Sequence, residues 1–236
     1  MKQFISVILI TMACGAYFSC SKNNGTPPST IASLNIVNAN LGSQGIIPNF
    51  GVAGYSYQNN GSTISYGTAN NFGIIAGKSS ISIVQATDTT QPFFTGAFDF
   101  KVSDIYSLFI AGTTTSLDTL FVQDNIPAYP QNDSVTGVRF VNLASGGNSI
   151  TINVQGNPGQ PLATAVAYKQ ITSFNQLPAA SPITDYTFEF RDAISDSVLT
   201  TYDLFFNPLH NQTLVISGQN IANATVPLGI FEVNNY

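Results

Sequence analysis

The sequence predicts an all-β protein, with two tandem immunoglobulin-like β-sandwich domains of Greek-key type following a lipoprotein signal peptide. Three observations predict it. Apolar residues alternate with polar ones at period two, as in Ala97-Phe98-Asp99-Phe100-Lys101 and Tyr186-Thr187-Phe188-Glu189-Phe190-Arg191. Such alternation marks strands with one face in a core and one in water. Turn signals such as Ala76-Gly77-Lys78, Asn59-Asn60-Gly61, Ser145-Gly146-Gly147-Asn148 and Gln155-Gly156-Asn157-Pro158 recur at roughly 8–12-residue spacing, as in all-β sandwiches. The chain also repeats itself at offsets that rise from 102 to 110 residues.

Residues 1–19 read as a leader. Lys2 is followed by a largely apolar run from Phe4 to Phe18, and Ser19-Cys20-Ser21-Lys22 closes it. This is the layout of a secretory signal, and the run falls short of the ~20 residues a membrane-spanning helix needs. The terminal cysteine resembles a bacterial lipoprotein site, which makes Cys20 the expected lipidation residue and Cys14 the alternative. The expected location is the outer membrane, lipid-anchored, on either face. Residues 20–30 are rich in Pro, Gly and polar side chains and read as a flexible tether.

Residues 31–126 form the first expected sandwich. Residues 127–134 (Pro-Ala-Tyr-Pro-Gln-Asn-Asp-Ser) form a short stiff linker, and residues 135–236 the second sandwich. Ile36-Val37-Asn38 matches Phe140-Val141-Asn142. Tyr66 before Asn71-Phe72 matches Tyr168 before Ser173-Phe174, and Phe109-Ile110-Ala111-Gly112 matches Val215-Ile216-Ser217-Gly218. The last strands pair as Leu120-Phe121-Val122 with Ile230-Phe231-Glu232, an offset of 110. Leu34-Asn35-Ile36 and Val138-Arg139-Phe140 alternate as well, so Asn35, Arg139 and, on its own strand, Glu189 are expected to face water.

Val138-Arg139-Phe140-Val141-Asn142 opens the second copy. Ser149 to Gly156, Val166-Ala167-Tyr168, Leu177-Pro178-Ala179 and Tyr186 to Ala193 follow. In that order these motifs resemble domain of unknown function 4397, a β-sandwich domain of bacterial surface and periplasmic proteins. The likeness covers about residues 135 to 218 well and the first copy more weakly. The resemblance implies a fold and a location, and no functional residue.

Composition removes several chemistries. Both cysteines lie at positions 14 and 20, so a chain cut before Cys20 carries no thiol in its folded part, and neither disulfides nor Cys–zinc sites are expected there. The seven basic residues are scattered and the net charge is −5, which disfavours nucleic acid as a partner. His210 is the single histidine, so a Ser-His-Asp triad or a multi-His metal site is not expected. No cofactor is expected.

Four groups of residues are candidates for function. Tyr55 and Tyr57, flanked by Gly and amides, would face one way on a strand and could hold a glycan; the alternative is an edge strand and turn. Thr89, Thr119, Ser134 and Ser197 each follow Asp in triplets that resemble an O-glycan attachment motif of some Gram-negative bacteria. Asp-Ser and Asp-Thr also simply suit turns. Asp192 and Asp196 put two carboxylates in one hairpin, fewer than a Ca²⁺ cage usually draws on. An Asp/Glu pair acting as a glycoside hydrolase is the remaining enzymatic alternative. The expected function is therefore a non-catalytic binding, adhesion or structural module with an unknown protein or glycan ligand, joined to the membrane through its lipid; a glycan-binding accessory lipoprotein is the alternative.

Overall fold

The computed structural model describes residues 30–57 and 61–235. The leader, Cys14, Cys20, nearly all of the expected tether and the turn residues Asn59 and Asn60 lie outside the described residues. All sixteen regular elements among the described residues are strands. The first half carries β1 (Ile31–Asn38), β2 (Ile46–Asn49), β3 (Thr68–Ile75), β4 (Gly77–Gln85), β5 (Phe94–Phe100), β6 (Ile105–Gly112) and β7 (Leu117–Asp124). The second half carries β8 (Val135–Asn142), β9 (Ile150–Val154), β10 (Ala163–Val166), β11 (Gln170–Ile171) and β12 (Asn175–Pro178). It continues with β13 (Asp185–Asp192), β14 (Val198–Phe205), β15 (Asn211–Ser217) and β16 (Gly229–Asn234).

Every sheet takes its strands from one half. In the first half β3-β1-β6-β7 faces β2-β4-β5. In the second, β11-β8-β15-β16, with β12 also paired to β8, faces β10-β9-β13-β14. The chain crosses between the facing sheets of each half, in the manner of a Greek-key sandwich. The first strand of each half runs parallel to the strand near its end, β1 beside β6 and β8 beside β15. Leu34 and Ile36 meet Ile81 and Ile83 in one core; Val138 and Phe140 meet Phe188 and Phe190 in the other. The two tandem β-sandwiches expected from the alternation and the repeat are thus present.

The repeat holds at the level of single hydrogen bonds. Asn38 Nδ2 donates to Ile64 O at 3.0 Å, and Asn142 Nδ2 to Val166 O at 2.9 Å. Each Asn Oδ1 accepts from the backbone N–H two residues on, Asn40 in one copy and Ala144 in the other. Gly67 (φ 75°) and Lys169 (φ 63°) occupy the same left-handed turn; each N–H reaches the carbonyl of that Asn.

Strand pairing corrects the alignment of the last strands. Phe109 lies opposite Leu120 and its counterpart Val215 opposite Phe231, so Leu120 corresponds to Phe231 and the offset is 111 rather than 110. A slip of one residue exchanges faces. Phe121 indeed packs in the first core, whereas Phe231 packs between the halves.

The expectation of one wet face fails for the first strand of each copy. Asn35 is 3 % exposed and Arg139 4 %. β15 is buried along its whole length, and β6 is buried from Tyr106 to Ala111. A third apolar cluster explains this, uniting Val37, Ala39, Phe109 and Ala111 with Val141, Leu143, Val215 and Val233. The two middle sheets therefore pack face to face, and the molecule has four layers. Only Leu108–Ala111 of β6 and Leu214–Ile216 of β15 carry the continuous apolar stretch that marks burial on both faces.

Candidate functional site

One end of the interface between the copies is apolar and the other polar. The polar end is built on the same inward-facing positions. Ser107 Oγ donates to Asp124 Oδ2 at 2.7 Å. At the matching place in the second copy, Thr213 Oγ1 donates to Asn235 Oδ1. Arg139 joins the two pairs: Nε donates to Thr213 Oγ1 at 2.8 Å and Nη1 to Asp124 Oδ1 at 2.7 Å. Both charges of this ion pair are buried. Arg139 Nη2 has no hydrogen-bond partner within the chain. The Phe174 ring covers the guanidinium, its centroid 4.7 Å from Cζ.

At the rim, Tyr168 Oη and Lys169 Nζ both donate to Asp118 at 2.9 Å. The ammonium of Lys169 is the main reason the Asp118 carboxyl sits below its ordinary range, and burial raises the Tyr168 phenol. On the opposite flank Tyr66 Oη and Ser217 Oγ are 2.9 Å apart. The expected linker is stitched down as well: Tyr129 Oη donates to Asn211 Oδ1, and Asn211 Nδ2 donates to Pro127 O.

Beside Arg139 a cleft of about 460 Å³ opens between the copies. Gln123, Asn125, Thr172, Ser173 and Phe174 line it with Arg139. Its volume falls within the range of small-molecule sites. None of these residues is among the functional candidates read from the sequence. Arg139 was read as a solvent-facing residue of an alternating strand, and the readable signal against that was the apolar run Val215-Ile216 on the neighbouring strand.

The sequence candidates lie elsewhere. Tyr55 and Tyr57 sit in the β2–β3 connection rather than on a strand, because Gly51 and Gly54 turn the chain with φ of 76° and 67°. Their rings meet edge-on, 5.1 Å apart at 82°, and so do not form a flat stacked platform. Thr89 and Ser197 occupy equivalent hairpins, β4–β5 and β13–β14. Ser197 and Ser134 are exposed, Thr89 is half-buried, and Thr119 lies within the β7 ladder opposite Ile110. His210 is exposed in the turn before β15.

The carboxylates are occupied by structure. Asp192 Oδ1 accepts from the N–H groups of Ile194 and Ser195, and Oδ2 from Asn148. The Ser195 N–H leads in lowering the Asp192 carboxyl to about 2. Glu189 is only 8 % exposed, a correction to its expected place in water. It lies on the outer face, but Asn153 Nδ2 at 3.0 Å and Arg191 at 2.8 Å cover it, and the Asn153 bond leads in lowering its pKa. Thr90 does the same for Asp88. Among the described residues no three His, Cys, Asp or Glu side chains group as metal ligands.

No family model matches the chain, and no curated protein matches it in sequence. Among solved structures it is similar to the Bacillus anthracis TIE protein, at TM-score 0.25 and 10 % identity over 87 % of this chain; it spans 44 % of that chain, less than half its length. It is similar to CBMbc, a family CBM26 module of Eubacterium rectale Amy13K solved with maltoheptaose, at TM-score 0.27 and 11 % identity over 85 % of this chain and 97 % of that one. A putative adhesin from Bacteroides ovatus gives TM-score 0.25 and 10 % identity over 89 % and 96 %. The solved structures similar to this chain thus include a carbohydrate-binding module and an adhesin, at values too low to carry a functional inference.

Proposed function

We propose that this chain is a non-catalytic binding module of a bacterial envelope, held to the outer membrane by lipid on Cys20 and carrying two domains, 31–126 and 135–236, of the domain-of-unknown-function-4397 type. The observation that supports it best is the pairing of a buried interface with an open cleft lined by both polar and apolar side chains. The apolar contact and the Arg139–Asp124 pair fix the two copies against each other, so a ligand in the cleft meets a preformed surface. Four of the carboxylates argue the same way. A glycosidase needs one acid whose pKa is raised. Asp88, Asp118, Glu189 and Asp192 are all shifted downward by their hydrogen bonds.

A glycan is the favoured ligand class, because amide and hydroxyl side chains dominate the polar part of the lining. Purified protein incubated with neutral polysaccharides is expected to be retained on one or more of them without releasing reducing ends. Release of reducing ends would overturn the non-catalytic reading. The anchor is tested separately: Cys20→Ala is expected to abolish alkyne-fatty-acid labelling and move the protein from membrane to soluble fractions, and persistent labelling would move the site to Cys14.

A further inference from the structure

The two copies place equivalent residues on both flanks of their interface, yet only one flank has a cleft lined by an arginine and a phenylalanine. Asn35 corresponds to Arg139, and Ala69 to Ile171, since Ala69 lies opposite Val37 as Ile171 lies opposite Val141. The edge strands then diverge. In the first copy β3 runs on without a break, and Phe72 lies opposite Leu34, in the core. In the second, the matching residue Val138 lies opposite Asn175. The chain advances four residues from Ile171 to Asn175 while β8 advances three, from Val141 to Val138, so one extra residue is inserted. The bulge splits the edge strand into β11 and β12. Phe174, which the offset of 102 aligns with Phe72, is displaced from that ladder position by the extra residue and lies over Arg139. Thr172 Oγ1 accepts the Phe140 N–H, compensating locally for the broken ladder. Bulges that re-aim a side chain at a sheet edge recur beside binding sites.

The chemistry of this cleft is selective. Arg139 Nη2 is a buried donor without a partner in the chain, a costly state unless something outside the chain accepts from it. The guanidinium charge is already matched by Asp124, so a second anion would leave excess negative charge in the cleft. A neutral acceptor fits better. A peptide splits acceptor and donor between its C=O and N–H; a sugar ring carries several hydroxyls that each accept and donate, toward Nη2 and the oxygens of Asn125, Thr172 or Ser173, beside a C–H face that packs on an aromatic ring. We propose that this cleft is a neutral saccharide subsite, with Arg139 as the buried donor, Asn125, Thr172 and Ser173 as polar partners, and Phe174 as the ring against which the sugar packs.

This deepens the binding-module reading and rests on it. The test is calorimetric titration of the intact chain with neutral oligosaccharides: α- and β-linked gluco-oligosaccharides, manno-oligosaccharides and xylo-oligosaccharides. Phe174→Ala and the double variant Asn125→Ala/Ser173→Ala touch only half-buried or exposed positions and keep the fold, as their melting temperatures will report. Each is expected to weaken the bound oligosaccharide about tenfold or more. Arg139→Lys, which keeps the charge but loses the fork, is expected to do the same. Binding that survives all three variants places the sugar elsewhere and overturns the cleft while sparing the module; loss on Tyr55→Ala would then locate it in the β2–β3 connection. An intact protein that binds none of the panel overturns the saccharide class itself.

Discussion

At the residue scale, Arg139 is the side chain on which the interface turns. It reaches Thr213 of its own copy and Asp124 of the other, where both ends are dry. Removing one partner of such a pair strands the other charge, so Arg139→Ala is expected to cost about 3–5 kcal/mol in chemical denaturation. Replacing both ends with apolar groups, Arg139→Met with Asp124→Leu, is expected to recover most of that loss. A loss in the double variant equal to the sum of the two single losses would show that the pair does not act as a unit. Little of this was visible in the sequence. Val138-Arg139-Phe140 has the polar–apolar rhythm of a half-wet strand, and the rhythm is real, since Val138 and Phe140 do share the core. What periodicity cannot report is a second sheet lying on the other face.

At the element scale, β13 shows the same partial legibility. Its register was readable, because Phe188 and Phe190 are fully buried in the second core. Phe188→Ala is expected to lower stability by about 3–5 kcal/mol. Glu189 was expected to be freely solvated, but it is hydrogen-bonded by Asn153 and Arg191 on a crowded outer face. Glu189→Ala is therefore expected to cost about 1–3 kcal/mol, because Asn153 and Arg191 lose their acceptor. A loss under about 0.5 kcal/mol, as for an ordinary surface site, would contradict the observed geometry. The β13–β14 hairpin makes a related prediction about acid. The folded pKa of Asp192, about 2, lies below the ordinary 3.8 of a solvated aspartate, so its contribution is present above pH 3.8 and is lost as pH falls toward 2. Melting temperature should drop across that window, and Asp192→Asn should flatten the drop; an unchanged slope would remove Asp192 as its source. Turn-forming residues announced this hairpin in the sequence, but the Asn148 contact that helps hold its carboxylate comes from 44 residues away.

At the scale of the whole molecule, duplication was legible and docking was not. The repeated Asn38 and Asn142, with identical bonding, show that both copies kept one fold. Their counterparts Val37 and Val141, Phe109 and Val215, and Ala39 and Leu143 meet in one shared cluster. Equivalent residues from both partners meeting in this way form a self-complementary surface, as in a symmetric dimer. This contact makes the two sandwiches one cooperative unit, with the cleft as part of it. Differential scanning calorimetry of the intact chain tests it most directly. One transition is predicted, with calorimetric and van't Hoff enthalpies that agree, and Val215→Asp, which buries a charge in the shared cluster, is predicted to split it into two. Two independent transitions in the unmodified chain would contradict it.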